Sequence, residues 1–264
     1  MGLMDKVRFH LGSARKARDL HRRIEHSRGM YLDLMERSLT GAAHGMEETG
    51  ERGRNGRVAK LVSEGYKPIS QTMLGRKRLR NVRWCTERVL KDGVPGDLIE
   101  TGVWRGGATI MMRAVLKAYE DRTRQVFVAD SFEGLPPPDA DRYPADAGDR
   151  HHLIDELAVS LEEVRANFER YGLLDDRVRF LKGWFADTLP EAPIDSLSVA
   201  RLDGDMYGST WDALVNLYPK LSVGGYLIVD DYGAVKGGRQ AVEDYREEHA
   251  ITEQIETIDW TGVY

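Results

Sequence analysis

The sequence predicts an α/β fold: a doubly wound, mostly parallel sheet with helices on both faces, an antiparallel C-terminal edge and an N-terminal helical extension. Three observations carry this reading. Strand-like apolar runs at 98–101, 126–129, 178–181, 198–202 and 226–229 alternate with helical patterns at 108–119, 161–171, 210–221 and 239–249. The alternation is regular, as right-handed crossovers between parallel strands require. The first run leads through a glycine-rich turn, Glu100-Thr-Gly-Val-Trp-Arg-Gly-Gly107, directly into a helix; open parallel sheets bind ligands beyond such strand ends.

The bulk properties agree. A chain of 264 residues has room for one large α/β domain with an appendage. With 41% apolar and 31% charged residues it has the composition of an ordinary globular protein. A net charge of -5, with no basic run interleaved with aromatics, argues against nucleic acid as a partner. The single cysteine, Cys85, excludes an intramolecular disulfide and a cysteine-based zinc site, and fits a reducing compartment. The first residues lack the apolar core of a signal peptide, and no stretch reaches the roughly 18 apolar residues of a membrane span. The expectation is a cytoplasmic protein.

Residues 1–40 place Val7, Leu11, Leu20, Ile24, Tyr31, Leu34 and Met35 at helical spacing among many basic residues. Such an extension is expected to pack on the domain or on a second subunit, which favours a homodimer; contact of its basic face with a membrane surface is the weaker reading. Residues 41–94 form a second section. A glycine-rich, charged linker over 41–57 is followed by a short helix near 58–64, the segment from Tyr66 to Gly75 and a helix over 77–91. The catalytic domain then runs over 95–264, and its last stretch, from Ile251, has strand character suited to an antiparallel edge.

In the first turn, Gly102 and Gly106 allow backbone to approach a ligand closely, and the helix start behind them presents free N–H groups. The second run ends in Asp130, 30 positions beyond Glu100, where an acid accepts hydrogen bonds from an adenosine ribose. The spacing G-x-x-x-G departs from the dinucleotide pattern, and Glu100 suits an ammonium better than a pyrophosphate. Together these favour a sulfonium cofactor over a nicotinamide one.

The fourth run ends in Asp203-Gly-Asp205 and the fifth in Asp230-Asp231. Neighbouring strand ends lie roughly 5 Å apart, so four carboxylates are expected to converge. Their mutual repulsion calls for a cation, and a hard-oxygen donor set selects magnesium, manganese or calcium over zinc. A divalent cation stabilises an alkoxide, a nearby carboxylate can take the proton, and in-line attack on a sulfonium methyl is helped by a closed, dry pocket. The linker before Tyr66 and the connection from Leu135 to about Glu156 are both long enough to be lids; His151 and His152 in the latter are minor candidates for substrate contact or proton transfer.

The strings Leu98-Ile-Glu-Thr-Gly-Val-Trp-Arg-Gly-Gly107, Asp130-Ser-Phe-Glu-Gly134, Gly183-Trp-Phe-Ala-Asp-Thr-Leu-Pro190, Arg201-Leu-Asp-Gly-Asp-Met-Tyr-Gly-Ser-Thr-Trp211 and Asp230-Asp-Tyr232 together resemble the macrocin O-methyltransferase family. That family includes methyltransferases of macrolide and aminocoumarin antibiotic pathways. The resemblance runs from about Tyr31 to the last residue. It implies a Rossmann-like class I methyltransferase fold with a seven-stranded sheet, S-adenosylmethionine (SAM) as donor, Mg2+ dependence and a sugar hydroxyl as acceptor, whether on a glycosylated natural product, an activated sugar, a glycolipid or a polysaccharide. Carried over position by position, it implies metal ligands at Asp203, Asp230 and Asp231 and a general base at Asp205. It further implies cofactor contacts from Glu100, Thr101, Gly102, Val103 and Trp104 at the methionyl end. Asp130 and Ser131 would lie at the ribose and Gly183, Trp184 and Asp187 near the adenine, with Phe132 and Gly134 as further cofactor positions. Thr72 and Met73 fall in a segment matching an N-terminal lid, and Ser160 matches a position close to the cofactor. Methylation of a catechol-type phenol, a nicotinamide-dependent oxidoreductase and a noncatalytic binding module are the competing readings.

Overall fold

A computed structural model describes residues 3–44 and 69–264, with side chains from residue 16 onward. The linker beyond residue 44, the short helix near 58–64 and the start of the segment from Tyr66 lie outside the described residues.

Helix α1 (Leu3–Leu39) is a single helix. Of its described apolar positions, Leu32, Met35 and Leu39 are buried, whereas Leu20 and Leu34 are about 60% exposed. Among the described residues, the helix meets the domain from Arg28, which donates to Ala118 O, and its apolar positions join the core from Tyr31 onward. Buried Glu36 ties it to α2 (Arg76–Asp92) by accepting from Arg76 Nε at 2.7 Å and Arg80 Nε at 2.9 Å.

The sheet follows as β1 (Asp97–Thr101), α3 (Gly107–Ala118), β2 (Val126–Asp130), α4 (Leu161–Arg170), β3 (Val178–Lys182), a one-turn α5 (Phe185–Thr188), β4 (Leu197–Leu202), α6 (Tyr207–Leu217), β5 (Leu221–Val229) and α7 (Lys236–Glu248). The strand order is β3-β2-β1-β4-β5, every pairing is parallel, and β1 lies at the centre with Glu100 opposite both Val128 and Arg201. Strands buried on both faces read as continuous apolar runs, which is why Leu98, Ile99, Phe127, Val128, Val199 and Ala200 have no exposed surface. One core cluster joins the sheet to α1 to α4 and the other to α6 and α7.

Two expectations change. Among the described residues the sheet has five strands rather than seven, and the antiparallel C-terminal edge is reduced to isolated bridges pairing Val263 with Val229 and with Thr257. The tight turn at its tip uses hydrogen bonds that a ladder would need: Thr261 and Gly262 N–H both donate to Asp259 Oδ1. Strand β5 also begins at Leu221 instead of 226. Gly224-Gly225 offers no apolar signal, yet a Cβ on Gly225 would lie 2.9 Å from Ser198 O, so a bare backbone suits this close pairing.

Candidate active site

The loops leaving β1, β2 and β4 each contain a non-glycine residue with positive φ: Trp104 at 48°, Phe132 at 59° and Asp205 at 57°. Such backbone costs about 1–3 kcal/mol per residue and gathers at functional sites. The three loops surround a cavity of about 320 Å³ at the carboxyl ends of the strands. The β1 and β4 loops touch so closely that a Cβ on Gly102 (φ 79°) would fall 1.8 Å from Asp203 O. Only glycine fits there.

Of the residues assigned to the cofactor, Met73, Gly102, Trp104, Asp130, Ser131, Gly134, Trp184 and Asp187 line this cavity. Asp130 accepts the N–H of Val103 at 2.7 Å (Oδ2) and of Phe132 at 2.7 Å (Oδ1), so its carboxylate shapes the β1 and β2 loops together. Burial holds its pKa above the usual carboxylate range. The segment carrying Thr72 and Met73 crosses the start of α3: a Cβ on Gly107 would meet Gln71 O at 2.5 Å, and Arg105 Nη1 donates to Ser70 O at 2.9 Å.

The remaining cofactor assignments lie outside the cavity lining. Thr72 is buried and accepts the N–H of Leu74. Val103 and Phe132 are buried beneath the loops, and Gly183 donates its N–H to Asp130 O. Ser160 is the N-cap of α4, accepting from Glu163 N–H at 3.2 Å, a capping role that accounts for it locally. Thr101 and Glu100 sit in the sheet. Glu100 is 2% exposed, accepts the N–H of Thr109 at 3.1 Å and is ion-paired with Arg201. Its carboxylate, expected to face an ammonium, is engaged within the protein and is not part of the cavity lining.

Beside this cavity, Asp203, Asp205 and Asp231 each offer a carboxylate oxygen, and the three lie within 4.8 Å of one another. Asp203 and Asp205 also line the cavity itself. Asp230, also expected among the cation's ligands, lies outside this group of three and faces two guanidinium groups. Its Oδ2 accepts from Arg78 Nη1 at 2.5 Å and its Oδ1 lies 2.5 Å from Arg201 Nη2. The physical reason is that successive residues at a strand end point to opposite sides. Asp231 is aimed by Thr261, whose hydroxyl donates to its Oδ1 at 3.1 Å.

Six carboxyls (Glu100, Asp203, Asp205, Asp230, Asp231 and Asp259) therefore gather around two guanidinium groups, those of Arg78 and Arg201. Burial, then the neighbouring Asp203, pushes Asp205 up to about 7. Burial, then Asp230, pushes Asp231 up to about 8 and holds Asp203 well above its ordinary range. Burial and mutual repulsion thus oppose ionisation of these carboxyls together, and a positive charge among them would relieve both. The donor set is carboxylate oxygen alone, so it fits a hard divalent cation such as Mg2+.

Several site residues escaped sequence reasoning. Arg201 and Arg78 are buried at 1% and 6% exposure, and a charged residue inside the apolar run of β4 was the available signal for Arg201. The connection after β2 contains three short 3₁₀ turns. It is fixed at both ends: Trp104 Nε1 donates to Glu156 O at 2.9 Å, and buried Asp146 accepts the N–H groups of Tyr207 at 2.6 Å and Gly208 at 2.9 Å at the start of α6. Leu135, Pro136 and Leu157 of this connection line the cavity with Phe185, Ser209 and Asp212. His151 pairs with Asp149 at 2.7 Å; neither His151 nor His152 lines the cavity.

The sequence profile of the Macrocin-O-methyltransferase (TylF) family matches residues 19–264. The chain belongs to the macrocin O-methyltransferase family. It is 53% identical over 244 residues to the 8-demethyl-8-(2,3-dimethoxy-alpha-L-rhamnosyl)-tetracenomycin-C 4'-O-methyltransferase of Streptomyces olivaceus, covering 91% of this chain and 93% of that one. It is 52% identical over 246 residues to the demethyldecarbamoylnovobiocin O-methyltransferase of Streptomyces niveus, covering 89% and 92%. The solved structure of the O-methyltransferase NovP superposes with a TM-score of 0.80 at 51% identity, over 89% of this chain and 97% of that one. The calicheamicin methyltransferase CalS11, at 18% identity and a TM-score of 0.59, shares the fold. As a member of the macrocin O-methyltransferase family the chain is an O-methyltransferase.

Proposed function

We propose that this O-methyltransferase transfers the methyl group of SAM to a sugar hydroxyl of a glycosylated small molecule, with Mg2+ held among the acids beside the cavity. The observation that carries the reading is the convergence of Asp203, Asp205 and Asp231 at the edge of the pocket framed by the glycine loop and Asp130. The rhamnosyl group in the named substrate of the Streptomyces olivaceus relative supports the acceptor class.

Asp203 and Asp231 are the residues assigned to the cation, since magnesium is commonly bound through one or two carboxylates and keeps several waters. Mg2+ bound there would supply Lewis acidity that lowers the pKa of an acceptor hydroxyl. Asp205 is assigned the proton. Its carboxylate lines the cavity beside Asp203 and Asp231, where it can accept the proton of a bound hydroxyl. Trp104, Asp130 and Trp184 place the donor along the cavity, and the connection fixed by Trp104 and Asp146 excludes water over the reacting end. The nucleophilic oxygen attacks the methyl carbon as the carbon–sulfur bond breaks; the proton passes to Asp205 and the donor leaves as S-adenosylhomocysteine (SAH).

The test is methyl transfer from labelled SAM to a panel of glycosides, activated sugars and catechols, with and without a chelator. Transfer to a sugar hydroxyl that the chelator abolishes and Mg2+ restores supports the reading. Transfer to catechols alone, or transfer indifferent to chelator, overturns it.

A further inference from the structure

The acids of the site do not stand alone: a buried guanidinium lies behind them. Arg201 is on β4 directly opposite Glu100 on β1. Its Nη1 is paired with Glu100 Oε1, while Nη2 lies 3.0 Å from Asp203 Oδ2 and 2.5 Å from Asp230 Oδ1. The side chain is 2% exposed, so it meets neither solvent nor substrate. Arg78, reaching in from α2, takes the other oxygen of Asp230 and lies 3.3 Å from Asp259 in the C-terminal segment.

We infer that Arg201 is the positioning residue of the cation site: it fixes the rotamer of Asp203 from the sheet side and sets how much negative charge the cluster presents to a divalent ion. This inference rests on the reading of the acids as a cation site and extends it to a residue that touches no ligand. A planar guanidinium is a rigid fork, and here one arm is anchored on Glu100 while the other spans two aspartates. Holding Oδ2 of Asp203 leaves Oδ1 for the cavity that Asp203 lines. Arg201 and Arg78 also flank Asp230, so both guanidinium groups bear on the charge of the acid cluster. Glu100, on this account, serves the cation site by anchoring Arg201. Groups behind first ligands commonly govern metal affinity by about 10- to 100-fold.

The experiment uses the full chain and two separate probes. Binding of Mn2+, a spectroscopic substitute for Mg2+, is measured by electron paramagnetic resonance of the free ion, and binding of SAH by calorimetry. Arg201→Lys keeps the charge but loses the fork. It is expected to retain its circular dichroism spectrum and its SAH affinity while binding Mn2+ about 10- to 100-fold more weakly. A merely structural role would lower both affinities together, and that result, or unchanged Mn2+ binding, overturns the inference. Should Arg201→Lys not fold, Glu100→Gln provides the same test. Freed from Glu100, the guanidinium bears wholly on Asp203 and Asp230, so a selective loss of Mn2+ affinity is again expected, and unchanged Mn2+ binding is contradictory. If the parent protein binds SAH but no Mn2+, the cation reading fails and the inference with it; if the parent binds both and the variants match it, the inference alone fails.

Discussion

Arg201 and Glu100 face each other across neighbouring central strands and form an ion pair with 2% of either side chain exposed. A pair so deeply buried is costly to break from one side, because the surviving charge is left without its partner. Arg201→Ala is therefore expected to destabilise the fold by about 3–5 kcal/mol. Urea denaturation checks this; a midpoint equal to the parent's would show that the pair carries no such weight.

Asp205 has φ 57° and sits between the β4 strand end and α6. Among non-glycine residues that lack a carboxylate, asparagine tolerates this backbone best. Asp205→Asn should accordingly fold normally and lower kcat by about 10²- to 10⁴-fold, the usual contribution of a general base. Initial-rate kinetics with matched circular dichroism decides. Full activity in the variant would remove Asp205 from proton transfer.

The acids of the cluster make stability depend on pH in a definite direction. Asp205 and Asp231 have folded pKa values of about 7 and about 8, against an ordinary 3.8. Because these values are raised, the stability they contribute is fully present below the unfolded value near 3.8 and is lost as pH rises through 7 to 8. Without a divalent cation the melting temperature should fall across that window. Magnesium competes with protons for the same oxygens, so it should raise the melting temperature more at pH 8 than at pH 5.5. Calorimetric scans at the two pH values, with Mg2+ and with chelator, give the comparison; an equal effect of Mg2+ at both would contradict this charge balance.

Asp146 joins the connection after β2 to the first turn of α6, directly after the loop that carries Asp205. Replacing a capping carboxylate by alanine costs about 0.5–2 kcal/mol. Asp146→Ala should show that loss in denaturation and, with the cover over the cavity loosened, a raised KM for the acceptor. An unchanged KM would confine Asp146 to capping.

The sheet and its helices were legible because parallel strands buried on both faces leave uninterrupted apolar runs, and Gly102, Gly106 and Asp130 mark where those strands stop. The acids at the site were legible as a group for the same reason. Their division of labour was not. Asp230 and Asp231 are neighbours in sequence, but a strand end sends them to opposite sides, and which side faces the cavity depends on Arg78 and Arg201. Arg78 arrives from a helix that precedes the sheet in sequence, so only the tertiary packing reveals its pairing with Asp230. Glu100 likewise reads as a ligand for a cation until the register places Arg201 opposite it.

The central claim is that Asp203 and Asp231 hold a divalent cation beside the donor cavity. A crystal structure of the protein grown with Mn2+ and SAH, with diffraction recorded at the manganese edge, tests it most directly. The account requires one anomalous peak at coordination distance, about 2.1 Å for a small hard cation, from carboxylate oxygens of Asp203 and Asp231, with SAH in the adjoining cavity. An occupied SAH site with no anomalous peak at these acids would contradict it.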